Sequence, residues 1–206
     1  MRSDNTDRIL VFKFWWHVIW PDFIVHRTKL FLTNNASRKF ISINLLEYTA
    51  IIINFAASIV SFQDPNTQTP FSPYPYPVLL NWADNRASIK WTNVMCTKNQ
   101  AGRSLGRIFS TFLLNNPLGI NCDYIPTGEN IIADEISRLK KTNNNLYDYA
   151  SLLQDFPQLQ DCKIFQPSKE LLSMLEQSLL NGISPPLHVV QHMKHSNLGQ
   201  LISYPG

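Results

Sequence analysis

VLLNWADNRASIKW, residues 78–91, decides how the chain is organised. Val78 to Ala83 is a short apolar run of strand length, and it ends on a carboxylate, Asp84, flanked by Asn85 and Arg86. From Arg86 to Met95 the apolar residues take up helical spacing, so a strand is expected to run directly into a helix. Two meanings of the acid then stand side by side. Asp84-Asn85 can cap the helix, or Asp84 can be aimed into a site, because ligands of α/β sheets gather at the carboxyl ends of strands.

Working outward, residues 64–77 hold five prolines and read as an extended surface loop. Before it lies FISINLLEYTAIIINFAASIVSF, where Leu46, Ala50, Ile53 and Ala57 recur at helical spacing behind Ser42 or Asn44 as caps. This predicts a buried helix with Glu47 in its first two turns. Arg8 to Trp20 is aromatic and β-branched enough for one or two strands, and Trp20-Pro21 turns the chain. On the other side, Ser104 to Leu114 carries an apolar stripe and stops at Asn115-Asn116-Pro117; Ile120 to Ile125 is a further strand; ENIIADEISRLKK is a further helix. The order strand, helix, strand, helix, helix, strand, helix predicts an α/β layered domain over residues 1–141. Residues 142–206 read as a linker and a mainly helical C-terminal extension, with one amphipathic helix over Glu170 to Leu180.

A chain of 206 residues with 44% apolar and 16% charged residues is long enough to bury a core without staples, which argues against disorder throughout. The net charge of +3 is compatible with a polyanionic partner without requiring one. Cys96, Cys122 and Cys162 are far apart and odd in number, so neither a zinc knuckle nor a disulfide framework is readable, and a reducing compartment, cytoplasm or nucleus, is expected. Leu45 to Val60 is long enough to raise a membrane question, but Glu47 and Asn54 inside it would be costly in hydrocarbon, so no membrane is expected. His188, His192 and His195 are spaced for a shared helical face, yet the preceding Pro185-Pro186 and polar end favour solvated histidines. Trp15, Trp16, Trp20, Trp82 and Trp91 read as core or interface aromatics rather than stacking platforms. No serine or cysteine has an oriented base nearby.

Glu47, Asp84 and Asp134 all fall where a structural residue would not be acidic: an apolar helix, the end of an apolar strand, and an apolar helical stripe. Buried carboxylates are disfavoured unless paired or bound to a cation. A hard divalent cation suits such a set, because Mg²⁺ takes oxygen ligands and needs few carboxylates. Read singly, each acid also has a plainer meaning, as a cap, a first-turn residue favoured by the helix dipole, or a solvated charge beside Glu135.

SINLLEY, WADNRASIKW and YIPTGENIIADEISRLKK, in that order, resemble the ribonuclease H domain of retroelement polyproteins, closest to the DIRS-like elements that also encode a tyrosine recombinase. The resemblance covers about Phe12 to Lys141, and the phrase ending N-IIADEISR is its most specific piece. It implies a ribonuclease H-like mixed five-stranded sheet flanked by helices. It also implies metal-dependent endonucleolytic hydrolysis of RNA in RNA–DNA hybrids, with two Mg²⁺ ions, or Mn²⁺ in their place. Carried across, Glu47, Asp84 and Asp134 are catalytic and metal-ligating. The family's first-strand aspartate falls to Asp4, with Asp7 competing.

The family's first strand carries Asp-Ala-Ser and a glycine-rich turn, whereas this chain has no glycine before Gly102. The first hairpin is therefore expected to be incomplete, the chain a fragment of a longer polyprotein whose other parts are its partners, and its activity impaired. The alternative is an inactive relic or nucleic-acid-binding module. Asn85, Arg86, Arg103 and Arg138 are the substrate-binding candidates, with Lys98, Asn99, Arg107, Lys140 and Lys141 near them, since hybrids are gripped through phosphates and 2′-hydroxyls.

Overall fold

A computed structural model describes residues 14–32, 41–63, 77–139, 148–193 and 195–203. Asp4, Asp7, the proline-rich loop at 64–76, Lys140 and Lys141 lie outside the described residues. The elements are β1 (Phe14–Trp15), α1 (Asp22–Leu32), α2 (Ile43–Phe62), β2 (Val78–Ala83), α3 (Arg86–Val94), α4 (Gln100–Asn115) and β3 (Gly119–Tyr124). After a 3-10 turn come α5 (Ile131–Ser137) and α6 (Tyr149–Asp155), and after a second, at Pro157–Leu159, come β4 (Lys163–Pro167), α7 (Lys169–Asn181), α8 (Leu187–Gln191), α9 (His195–Leu198) and β5 (Gly199–Ile202). The architecture is mixed α/β, with small sheets flanked by several helices.

α2 forms because its 20 residues contain no proline or glycine and present apolar side chains all round. A helix of that kind is stable only when covered on every side. It is long and apolar enough to cross a membrane, with mean hydropathy 1.7, yet 67% of that apolar window is buried inside the fold. α3, α4, α9 and β5 pack around it. Buried hydroxyls along it are answered within the helix, as where Thr49 donates to the Leu45 carbonyl at 2.8 Å. Phe55 meets Phe109 of α4 edge-to-face at 5.3 Å, and Tyr48 meets Trp91 and Phe109 at 5.8 and 6.2 Å. Each such pair contributes roughly 0.5–1.5 kcal/mol beyond its buried area.

β2 and β3 pair in parallel from Val78 opposite Gly119 to Ala83 opposite Tyr124, joined through α3 and α4 as a parallel pair requires. The Asn93 side chain closes the far edge of β3: it donates to the Cys122 carbonyl at 2.8 Å and accepts from the Cys122 amide at 2.9 Å. The single mixed sheet of five strands is not seen among the described residues. Their five strands fall into two sheets, β2-β3 and β1-β4-β5. In the second, β4 runs parallel to β1 and antiparallel to β5.

Three elements depart from the sequence reading. α1 occupies a stretch left as the sequel of a turn. The Pro21 carbonyl accepts from the amides of Ile24 and Val25 at 2.9 and 3.2 Å, and Asp22 sits at the positive end of the helix. β4 and β5 are strands inside the expected helical extension, held by pairing with residues about 150 positions away and with each other. That extension also belongs to the main core: Phe165, Leu171, Leu175, Leu179, Val190 and Leu198 are buried in one cluster with α2 and α4.

α7 is fixed to α4 by a buried polar contact in which Ser104 Oγ donates to Ser178 Oγ at 2.8 Å. Removing the acceptor alone leaves a buried hydroxyl unpaired. Ser178→Ala is expected to cost about 1–3 kcal/mol. Adding Ser104→Ala should recover part of that loss in urea denaturation, so a double variant no more stable than the sum of the singles would refute the coupling.

Candidate active site

One concavity is lined by residues from four parts of the chain. α2 supplies Ile43, Leu46, Glu47, Ala50, Ile51 and Asn54, one stripe at helical spacing. β2 contributes Asn81, Trp82 and Ala83, with Asp84 immediately after its last residue. Asn130, Ala133, Asp134, Ile136 and Ser137 enter from α5 and its start, and Phe14 to Val18 with Trp20 form the remaining wall. The cavity measures about 530 Å³.

Glu47, Asp84 and Asp134 therefore open into one space, although 87 positions separate the first from the last. Among the described residues no lysine or arginine lines it, and the cation nearest its acids is Arg138, paired with Asp134. Burial pushes the Glu47 carboxyl above its ordinary range, and the negative charge of Asp84 pushes it the same way. Asp134 is half-exposed and held by Arg138 at 2.8 Å, one turn along α5. His17, in the wall, has its pKa lowered by burial, which favours the neutral imidazole.

The oxygen-only donors fit a hard cation in kind, since Mg²⁺ retains several waters and takes one or two carboxylates. In arrangement the fit is partial. Among the described residues no group of three His, Cys, Asp or Glu is set to hold a metal ion. The electrostatic coupling singles out Glu47 and Asp84 as the pair that a cation would relieve. Asp4 lies outside the described residues. His188 and His192 are exposed, and the His192 ring contacts the His188 carbonyl at 2.6 Å.

The expected substrate contacts fare unevenly. Asn85 is occupied as the N-cap of α3, accepting from the amides of Ala87 and Ser88 at 3.0 and 3.1 Å and donating to Asn44 at 2.8 Å. Both readings of Asp84-Asn85 thus meet: Asn85 caps, and Asp84 faces the cavity. Arg86 lies 5.0 Å from the Tyr124 ring centroid, a cation–π contact at the surface. Arg138 engages Asp134 rather than standing free. Arg103 does not line the cavity.

Asn54 and Asn81 are cavity residues that the sequence reading did not select. The Asn54 amide donates to Asn81 at 2.6 Å, and Asn81 in turn donates to the Cys122 sulfur at 3.1 Å, tying α2 to β2 and β3. Their signal was present as one amide in an apolar helix and another in an apolar strand, an arrangement that demands mutual pairing. Trp82, read as a core or interface aromatic, is 55% exposed and lines the cavity.

Because the folded state raises the Glu47 pKa, the native protein holds that proton more tightly than the unfolded chain. The resulting stability is full in acid, below the ordinary glutamate range, and is lost as pH rises through the folded value. Glu47→Gln should therefore melt higher than the parent near neutral pH in chelator, by about 2–4 °C if the relief is worth roughly 1 kcal/mol. The gain should vanish on acidification. Melting curves across pH that show no gain for Glu47→Gln would remove the buried charge.

No family model matches this chain, and no curated protein or solved structure matches it either, so the chemistry of the cavity rests on its own residues.

Proposed function

We propose that this chain is a retroelement-derived ribonuclease H-like domain that hydrolyses the RNA strand of RNA–DNA hybrids. The observation that carries the reading is the meeting of Glu47, Asp84 and Asp134, from α2, the end of β2 and α5, in one cavity without basic lining. Their order along the chain, and Asp84 at the carboxyl end of a parallel strand, agree with the family's pattern. Glu47 and Asp84 would hold Mg²⁺, with Asp134 and the first carboxylate, Asp4, as further ligands. When bound, the ion neutralises charge on the scissile phosphate and makes a water nucleophilic near neutral pH.

The chain's own groups do the rest. Burial first, and the charge of Asp84 second, hold the Glu47 carboxyl towards its neutral form, and a cation between the two acids would favour the charged form. Arg138 holds the Asp134 carboxylate in place. The aromatic wall, Phe14 to Trp16, lowers the local dielectric and so strengthens each electrostatic contact inside. Hydrolysis forms a bond from water oxygen to phosphorus and breaks a bridging phosphorus–oxygen bond.

A second reading, a binding module without turnover, draws on the absence of a three-carboxylate metal group among the described residues. A labelled RNA–DNA hybrid with Mg²⁺ or Mn²⁺ separates the two. Cleavage is expected, and Asp84→Asn should reduce it by more than the 10- to 100-fold typical of losing a residue that only orients a metal ligand. Cleavage unaffected by Asp84→Asn rejects the assigned role, and hybrid binding without any cleavage selects the second reading.

A further inference from the structure

A second concavity, of about 500 Å³, shares no lining residue with the acidic cavity and has the opposite character. Arg103 and Arg107 line it, one helical turn apart on the same face of α4, and no aspartate or glutamate does. Both are exposed, and among the described residues neither guanidinium has a hydrogen-bond or ion-pair partner. Like charges at this spacing destabilise a helix by about 0.2–0.5 kcal/mol. Nothing within the described groove offsets that cost, whereas a bound anion would.

The rest of the lining suits phosphate oxygens. Thr97 Oγ1 accepts from the Asn99 amide at 3.2 Å, which leaves its own proton to donate, and Ser110 adds another hydroxyl. Gly102 and Gly106 keep the floor low: a Cβ on Gly102 would stand 2.6 Å from Thr97 Cγ2, and one on Gly106 would stand 3.4 Å from the Tyr48 hydroxyl. Guanidinium forks bind phosphates in two-point fashion, and two forks about one turn apart suit two anionic groups rather than one.

We propose that the Arg103–Arg107 groove on α4 docks the phosphates of a polynucleotide backbone, apart from the acidic cavity. This rests on the proposal that the chain acts on nucleic acid. Phosphate contacts set position and affinity without reading sequence. They also make binding fall with salt in proportion to the number of phosphates engaged.

The test is a fluorescence-anisotropy titration of the full chain with a labelled RNA–DNA hybrid across a series of salt concentrations. Arg103→Gln/Arg107→Gln should lower the slope of log affinity against log salt by about 2, roughly one per lost contact. Arg103→Lys/Arg107→Lys, which keeps the charges, should retain most of the slope and so excludes misfolding as the cause. Lys169→Gln, at the exposed start of α7, should leave the slope unchanged. An unchanged slope in the glutamine pair, or an equal drop with Lys169→Gln, overturns the proposal. Calorimetry with inorganic phosphate addresses the other source of the same chemistry: saturable phosphate binding that the glutamine pair abolishes, with an intact hybrid slope, overturns the backbone assignment. Cleavage measured in parallel keeps the two proposals apart. Turnover with an unchanged slope removes the groove and leaves the nuclease; a reduced slope without turnover does the reverse.

Discussion

Covering α2 is the constraint on which the structure depends. Twenty residues with apolar side chains on every side cannot face water, so strands and helices from both ends of the chain are drawn around them. Water reaches this helix along the stripe where Glu47 and Asn54 interrupt the apolar surface, and the acidic cavity lies over that stripe. The site is thus placed by the packing problem: polar groups that the core cannot accept are gathered where its cover is incomplete.

The same logic sorts the charges. Arg138 is tethered to Asp134, and Arg86 is turned to Tyr124 at the surface, so neither guanidinium neutralises the space between Glu47 and Asp84. On α4, by contrast, the two arginines have no acidic neighbour in their groove. Acidic and basic side chains are thus separated, with Glu47, Asp84 and Asp134 at one concavity and Arg103 and Arg107 at the other.

α2, β2, α3 and β3 were legible in the sequence because each has one dominant period and clear punctuation, such as Asn85 at a helix start; α4 was found with its stop at Asn116-Pro117, but its first turn, capped by Asn99, lies ahead of the apolar stripe that begins at Ser104 and so was missed. β4 was not, since Lys163-Ile164-Phe165-Gln166-Pro167 is short, ends in proline, and becomes a strand through partners at Phe14 and at Gly199 to Ile202. Local propensity cannot report such pairing. At the site, the three acids stood out because each contradicted its apolar surroundings. Asn54 and Asn81 contradicted theirs equally, but an amide alone suggests no chemistry, and the bond between them joins elements 27 residues apart. α5 was found but overextended, because its Ile132, Ile136 and Leu139 pattern continues past Ser137, where the regular helix stops.

The pairing of β1 with β4, and of β4 with β5, has a consequence for biosynthesis. Much of the cover of α2, including Leu198 and the strand after it, is translated some 140 residues after α2 itself. During that interval a largely apolar helix has only α3 and α4 of its cover to pack on. Folding must wait for distant contacts, the circumstance in which rates are slow and collapsed chains adhere to one another.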